Sequence, residues 1–254
     1  MNFLIAPNAL KGSLSALRAA NTISQSLKGI APDVATVLCP IADGGDGTLE
    51  CLVQATGGKV FEANVQGPVS SLRVKARWGV LGDGATAVIE MAEAAGLRLL
   101  SPPQYDIANA TTYGVGELIL QALKAGLKKV IVGLGGSATN DGGAGCVRAL
   151  GVRFFDEHNN ELPDGGIHLA RLDQLQIRNY ELLGIKNAEI IGLADVTNIL
   201  YGPAGAACTF AAQKGATPEQ IDQLDEGLKH YASIIERKLH RDVSQIPGSG
   251  AAGG

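Results

Sequence analysis

Short apolar runs rich in β-branched residues alternate with stretches of helical periodicity from the start of this sequence, and this alternation is typical of α/β folds. Residues 3–6 and 34–39 are predicted as buried strands. Ser15 can cap a helix between them, and Thr48 can cap a second helix after them. The order strand–helix–strand–helix within residues 1–58 predicts part of a doubly wound, parallel sheet.

The pattern changes after residue 58. Three consecutive strands without a helix between them are predicted, at 60–65, 72–78 and 86–90. Such strands favour antiparallel pairing, and therefore a second domain with a different sheet. Helices and buried strands then alternate again: a helix over 112–124, strands over 130–134 and 189–194, and a long helix that begins at a capping box at Thr217. This second α/β domain, over 59–245, is expected to contain a mixed sheet.

Composition argues against several functional classes. The 254 residues include 21 lysines and arginines against 25 aspartates and glutamates, so a net charge of −4 disfavours nucleic acid held by bulk charge. No apolar run reaches the roughly 18 residues of a membrane helix. The N-terminus lacks the basic region of a signal peptide, and the four cysteines are scattered. We therefore expect a cytoplasmic protein without a membrane segment, a zinc site or a disulfide framework.

Glycine is the unusual component of the sequence. The 34 glycines cluster in short runs beside Asp, Ser, Thr and Asn, and four of these runs follow a predicted strand. Ligands of open α/β sheets bind beyond the carboxyl ends of the strands, which is where such loops lie. The four loops are therefore the candidate sites for chemistry.

The first two loops each allow two interpretations. In residues 6–13, Lys11 and Ser13 stand before a helix N-terminus, where they suit an anion, but they can equally be a solvated lysine and a turn serine. In residues 42–48, Asp43 and Asp46 can hold Mg²⁺ together with water and a phosphate, or can belong to a polar turn that caps a helix.

The third loop, residues 133–145, favours a functional role most strongly. Its glycines, among them Gly135 and Gly136, let backbone N–H groups line a concavity close to phosphate oxygens. Four further side chains supply neutral hydrogen-bonding groups and one carboxylate: Ser137, Thr139, Asn140 and Asp141. We interpret this loop as a phosphate site, with Asp141 available for a metal ion or as a base.

The fourth loop follows another buried strand. Asp195 ends that strand, a good position for a general base or a metal ligand, and Asn198 and Lys214 come after it. The alternative for Asp195 is a turn or helix cap.

Two known nucleotide-binding signatures are relevant to glycine-rich loops of this kind. The sequence has no Walker-type G-x-x-x-x-G-K-[ST] run. A dinucleotide fingerprint is present in residues 133–138, with Asp156 beyond it, which leaves an NAD-dependent dehydrogenase as an alternative. Gly142 and Gly143 would disrupt the helix that this fingerprint needs, and Asp141 would repel a pyrophosphate, so phosphoryl transfer with Mg²⁺ fits better.

Five segments carry a resemblance to a known family and occur in its order: APNALKGSLSA, PIADGGDGTLE, GLGGSATNDGGAG, the DVTN…GPAGA…QKGA stretch and PGSGAAGG. Together they span residues 6–254 and resemble the bacterial type I glycerate kinase family. The resemblance implies an enzyme that uses ATP and Mg²⁺ to phosphorylate D-glycerate, usually to 2-phosphoglycerate, in glyoxylate and sugar-acid catabolism. Two departures stand out: Asn8 replaces an aspartate that many members have, and the motif around Asn198 differs from the family pattern.

The resemblance also implies two α/β domains with the active site in the cleft between them. The first, Rossmann-like domain would combine residues 1–58 with a returning segment that starts at 246–254. Family members continue beyond the PGSGAAGG motif, so we interpret the chain as a truncated member. A non-catalytic ligand-binding fragment is therefore an alternative, the glycine-rich end can also be a flexible tail, and a homo-oligomer is left open.

A mechanistic hypothesis follows from the loops. Backbone amides of residues 135–140 would hold phosphate, with Mg²⁺ joining it to Asp43, Asp46 or Asp141. Lys11 or Lys214 would stabilise charge on the transferred group or hold the glycerate carboxylate. Asp195 is the candidate to accept the proton of the glycerate hydroxyl.

Overall fold

The computed structural model of the chain describes residues 1–10, 13–177 and 185–254. Strands β1 (Asn2–Ile5) and β2 (Ala35–Leu38) pair in parallel, with Asn2 opposite Ala35. Helix α1 (Ala16–Ile30) connects them, and Ser15 caps it by accepting a hydrogen bond from the Arg18 amide at 3.3 Å. The predicted parallel strand–helix–strand unit is therefore confirmed.

Helix α2 (Thr48–Thr56) leads into a second sheet, of five strands. Its strands are β3 (Lys59–Gln66), β4 (Arg73–Val80), β5 (Thr86–Glu90), β6 (Lys129–Gly133) and β9 (Glu189–Leu193), in that spatial order. The pairs β3–β4 and β4–β5 are antiparallel, whereas β5–β6 and β6–β9 are parallel. The expectation of an α/β fold with one parallel and one mixed sheet is confirmed.

The remaining helices cover this sheet or extend from it. They are α3 (Ala92–Ala95), α4 (Tyr113–Lys124), α5 (Ala144–Ala149), α6 (Ala206–Phe210) and α7 (Pro218–Leu239). The largest core lies between the sheet and α4, where Leu118 and Ile119 pack with Ile89 and Val132. The predicted capping box of α7 is confirmed, because Thr217 accepts from the Gln220 amide and Gln220 accepts from the Thr217 amide.

A pair of short strands and the short helices α3, α5 and α6 were not predicted from the sequence. Strands β7 (Val152–Phe155) and β8 (Gln174–Ile177) form a separate antiparallel pair. Polar turns surround both strands, so their periodicity is too short to detect. The division into residues 1–58 and 59–245 stays a prediction.

The glycine-rich end of the chain is packed. The Gly250 amide donates to the Asn198 carbonyl at 2.9 Å, and the Gly142 amide donates to the Gly253 carbonyl at 3.1 Å. Ala251 is only 4% exposed. The alternative of a flexible tail for residues 246–254 is therefore wrong.

Among the described residues, no helix combines the length and the apolar character required to cross a bilayer.

Candidate active site

Three parallel strands end at the same edge of the five-stranded sheet. Glu90 ends β5 opposite Gly133 of β6, and Gly133 lies opposite Leu193 of β9. The third and fourth glycine-rich loops leave the sheet from the last two of these positions. The topology therefore brings them together, as expected for a ligand site of an α/β sheet.

A cavity of about 420 Å³ lies between these loops. Its apolar lining includes Leu97, Leu100, Tyr105, Leu134, Val196 and Phe210. Its polar side chains are those of Asp46, Arg98, Ser137, Asp195, Gln213 and Lys214. An apolar pocket with a few convergent polar groups is typical of small-molecule sites.

The loop of residues 43–48 is docked on the ends of β6 and β9. The Gly135 amide donates to the Gly44 carbonyl at 2.9 Å. Gly44 has a φ of +92°, and a Cβ at this position would overlap the carbonyl oxygen of Leu193. Only glycine therefore permits this close approach, which places Asp46 at the cavity.

Two backbone amides of the third loop are free to bind a ligand. The Gly136 carbonyl accepts from the Leu97 amide at 2.9 Å, and the Ala138 amide donates to the Ala95 carbonyl at 2.8 Å. These two hydrogen bonds hold the loop against α3 and the turn that follows it. The amides of Gly136 and Ser137 between these contacts have no acceptor among the described residues. Because both residues line the cavity, their N–H groups suit a phosphate oxygen.

Lys214 is buried beside this loop and only 4% exposed. Its Nζ donates to the Ser137 hydroxyl at 2.8 Å, to the Thr139 carbonyl at 2.6 Å and to the Ala252 carbonyl at 3.1 Å. Burial lowers its pKa to about 7, and the charge of Asp141 acts in the opposite direction. An ammonium group has three protons, so these contacts use all of them, and Lys214 ties the third loop to the C-terminal turn.

The side chain of Asp141 lies inside the protein rather than at the cavity. Its carboxylate accepts from the Thr112 amide and hydroxyl, both at 2.9 Å, and from the amides of Gly145 at 3.1 Å and Gly143 at 3.2 Å. Burial raises its pKa, against those hydrogen bonds. Asp141 thus joins the start of α4 to the start of α5.

The carboxylate of Asp195 differs from that of Asp141 in exposure, position and bonding. It is exposed, it lines the cavity, and the described part of the chain gives it no hydrogen bond or ion pair. It lies two residues beyond the end of β9, where a ligand in the cavity can reach its side chain.

The chain also matches known proteins. The model of the glycerate kinase family matches residues 3–254. The chain belongs to this family. Glycerate 2-kinase from Escherichia coli (strain K12) is 46% identical to it, with all of this chain and 66% of that protein aligned. Glycerate kinase from Bacillus subtilis (strain 168) is 43% identical, again with the whole chain aligned to 66% of the relative.

A solved structure is similar as well. The crystal structure of a protein assigned as glycerate kinase 2 from Salmonella typhimurium LT2 superposes with a TM-score of 0.88 at 47% identity, covering the whole chain and 67% of that protein. The chain therefore spans about two thirds of the length of its relatives. The resemblance to glycerate kinases stated from the motifs is confirmed.

Six of the thirteen site residues predicted from the sequence of this glycerate kinase family member line the cavity. Those that line it are Asp46, Gly135, Gly136, Ser137, Asp195 and Lys214. Thr139, Asn140 and Asp141 belong to the third loop but are buried and do not line the cavity, and Asn198 donates to the Ala204 carbonyl at 2.9 Å. Ser13 is exposed and does not line the cavity, and Lys11 lies outside the described residues.

Asp43 does not line the cavity, although it lies on the same loop as Asp46. It accepts from the Asn8 side-chain amide at 2.7 Å and from the Gly45 amide at 3.0 Å. The bond from Asn8, followed by that from Gly45, lowers the pKa of Asp43. The family departure at position 8 thus supplies a hydrogen-bond donor to this carboxylate.

The dinucleotide fingerprint has no suitable structural context. The run from Gly133 is followed by an irregular loop, and α5 begins only at Ala144. Asp156 follows β7, in a sheet separate from β6, and bonds to Asn160 and His158 of its own turn. The dehydrogenase alternative therefore lacks its strand–turn–helix unit.

Sequence reasoning missed a charged network beneath the cavity. Glu93 accepts from Arg77 Nη2 at 2.8 Å and from Arg98 Nη2 at 2.6 Å. Glu90 accepts from the Leu49 amide at 2.6 Å. One sequence signal could have indicated these groups: Glu90 ends a buried strand and Glu93 follows three residues later, at the edge of the sheet where ligands bind.

Glu90 predicts a pH dependence of stability. Burial raises its pKa from 4.5 to about 7, only partly opposed by the Leu49 bond. Because the folded-state pKa is the higher one, this group's contribution to stability is present below pH 4.5 and is lost as the pH rises through 7. Relative to Glu90→Gln, which does not titrate, the wild-type protein should lose roughly 3 kcal/mol of unfolding free energy between pH 4.5 and 8.

Urea denaturation of both proteins at several pH values measures this difference. Asp83→Asn is a matched control, because Asp83 is an exposed carboxylate whose pKa is lowered by its bond from the Thr86 hydroxyl. A constant difference between wild type and Glu90→Gln across this range would contradict the buried, protonated state of Glu90.

Proposed function

We propose that the protein transfers the terminal phosphoryl group of ATP to D-glycerate and forms 2-phosphoglycerate, in the cavity at the ends of β6 and β9. The observation that carries this proposal is one of geometry. Gly136, Ser137 and Asp195 line the same 420 Å³ space, and neither the two amides nor the Asp195 carboxylate has a hydrogen-bond partner among the described residues. Phosphoryl transfer to a hydroxyl requires hydrogen-bond donors that hold the phosphate and a group that accepts the hydroxyl proton, both within one pocket.

The carboxylates near the cavity provide some of the ligands that Mg²⁺ needs. No group of three or more His, Cys, Asp or Glu side chains is arranged for a metal ion in the part of the chain that the structure describes. Mg²⁺ usually takes one or two carboxylates and completes its shell with water and substrate phosphate, so the Asp43–Asp46 loop suffices. When bound there, Mg²⁺ would neutralise charge on the phosphates. Asp141 does not fit, because protein N–H and O–H groups already occupy its oxygens.

The protein's own groups then have distinct tasks. The amides of Gly136 and Ser137 hold the transferred phosphoryl group. Asp195 accepts the proton of the attacking hydroxyl as the P–O bond to glycerate forms and the bond between the terminal phosphorus and ADP breaks. Lys214 acts as a positioning residue rather than as a ligand, because its protons bind the loop itself. Its buried ammonium group keeps Ser137 at the cavity wall.

The experiment uses the intact protein with ATP, Mg²⁺ and D-glycerate. We expect ADP release that depends on D-glycerate, and phosphorus NMR of the product should show a phosphate ester whose proton coupling places it on C2. A product esterified on C3 would correct the position of transfer. Absence of glycerate-dependent ADP release would refute the proposed function.

A further inference from the structure

Arg98 is a cavity residue that the proposed mechanism leaves unused. It lies in the 3₁₀ turn Leu97–Leu99, directly after α3, and its side chain is 43% exposed. The guanidinium lines the same cavity as Gly136, Ser137 and Asp195.

Two hydrogen bonds to the protein hold the Arg98 guanidinium in position. Nη2 donates to Glu93 Oε1 at 2.6 Å, and Nε donates to the Ala92 carbonyl at 3.4 Å. The Glu93 side chain is only 7% exposed, so it fixes one end of the fork in a defined position. Nη1 has no acceptor among residues 1–10, 13–177 and 185–254, which leaves part of the fork available.

The local charge also favours an anion. Glu93 is shared between the guanidinium groups of Arg77 and Arg98, so its single charge is divided between two cations. Asp46 forms a second ion pair with Arg98, at 3.5 Å from Nε, but its side chain is 46% exposed, so solvent weakens this interaction. Lys214, the other cation in the cavity lining, has all three protons bound to the protein.

We propose that Arg98 binds an oxyanion of the substrates directly, through the unpaired side of its guanidinium fork. The inference rests on the proposed function, which supplies two such groups: the carboxylate of the acid and the terminal phosphate of the nucleotide. Both have the geometry that a guanidinium recognises with paired N–H donors. Arg98 is thus a specificity residue of the pocket, held in place by the buried Glu93.

The test compares Arg98→Gln with Arg77→Gln in the intact protein. Both variants remove one guanidinium from Glu93, but Arg77 does not line the cavity, so it controls for any loss of stability. Initial rates are measured with D-glycerate varied at saturating ATP, and with ATP varied at saturating D-glycerate. Equilibrium binding of D-glycerate and of ADP to each protein is measured by calorimetry.

We expect Arg98→Gln to raise the KM and the dissociation constant of one substrate by roughly 10–100-fold, while Arg77→Gln changes them less than about threefold. An effect confined to D-glycerate identifies the carboxylate as the bound group, and one confined to the nucleotide identifies the phosphate. Arg98→Lys should recover binding in part, because it restores the charge without the fork.

Equal effects of Arg98→Gln and Arg77→Gln on both substrates would overturn the inference. Failure of the proposed function is distinguishable, because the wild-type protein itself would then release no ADP with D-glycerate. Binding measured by calorimetry still tests Arg98 in that case.

Discussion

Replacing Asp195 with asparagine is expected to lower kcat by about 10²–10⁴-fold, the range that a positioned general base contributes. The asparagine amide keeps the size of the side chain but cannot take the proton of the glycerate hydroxyl. Because Asp195 makes no hydrogen bond or ion pair with the described residues, the substitution should leave the free energy of unfolding nearly unchanged. Steady-state kinetics and urea denaturation of the same preparation measure both quantities.

Asp33→Asn is the matched control, since Asp33 is an exposed aspartate in the turn after α1 and does not line the cavity. It should retain the wild-type kcat. Near-normal turnover of Asp195→Asn would remove the residue from the proposed mechanism.

Alanine at Gly44 is expected to destabilise the protein strongly. Its φ of +92° is strained for any residue with a Cβ, and the added Cβ would overlap the Leu193 carbonyl oxygen. That oxygen accepts from the Leu134 amide at 3.0 Å, so the overlap also disturbs the connection between β9 and the third loop. We expect the free energy of unfolding to fall by at least about 3 kcal/mol.

Gly47→Ala separates strain from steric overlap. Gly47 has a φ of +93°, but no atom lies within 4 Å of a Cβ built there. Its alanine variant should lose only about 1 kcal/mol, which reflects the backbone conformation alone. Equal losses in the two variants, measured by urea denaturation, would show that residues 43–48 are not docked on β6 and β9.

The sequence predicted most of the local structure because hydrophobic periodicity and caps are local properties. Ser15 and Thr217 cap the helices expected of them, and the strands at 86–90 and 189–194 lie within one residue of their predicted ends. Four glycine-rich loops after predicted strands were predicted as sites by the general rule for α/β sheets, and three of them contribute residues to one cavity.

The roles of individual side chains were less predictable, because burial and pairing depend on distant parts of the chain. The sequence around Lys214 is typical of a solvent-exposed turn. In the structure Lys214 is buried, and its Nζ donates hydrogen bonds to Ser137, Thr139 and Ala252. The partners of Asp141 include Thr112, 29 residues earlier. No spacing rule connects such residues, so the sequence could not separate structural carboxylates from free ones.

Arg98 illustrates the same limit at the site itself. A lone arginine in a short turn carries no motif, and its place in the cavity depends on Glu93 and on the docking of the loop at Asp46. The exposed, ligand-ready group is recognised only once these elements are assembled.

A crystal structure of the intact protein with a non-hydrolysable ATP analogue, Mg²⁺ and D-glycerate tests the central claim most directly. We predict that the terminal phosphate lies against the amides of Gly136 and Ser137, and that the glycerate C2 hydroxyl is within hydrogen-bond distance of Asp195. Ligands bound elsewhere, with the cavity at the ends of β6 and β9 filled only by water, would contradict the account.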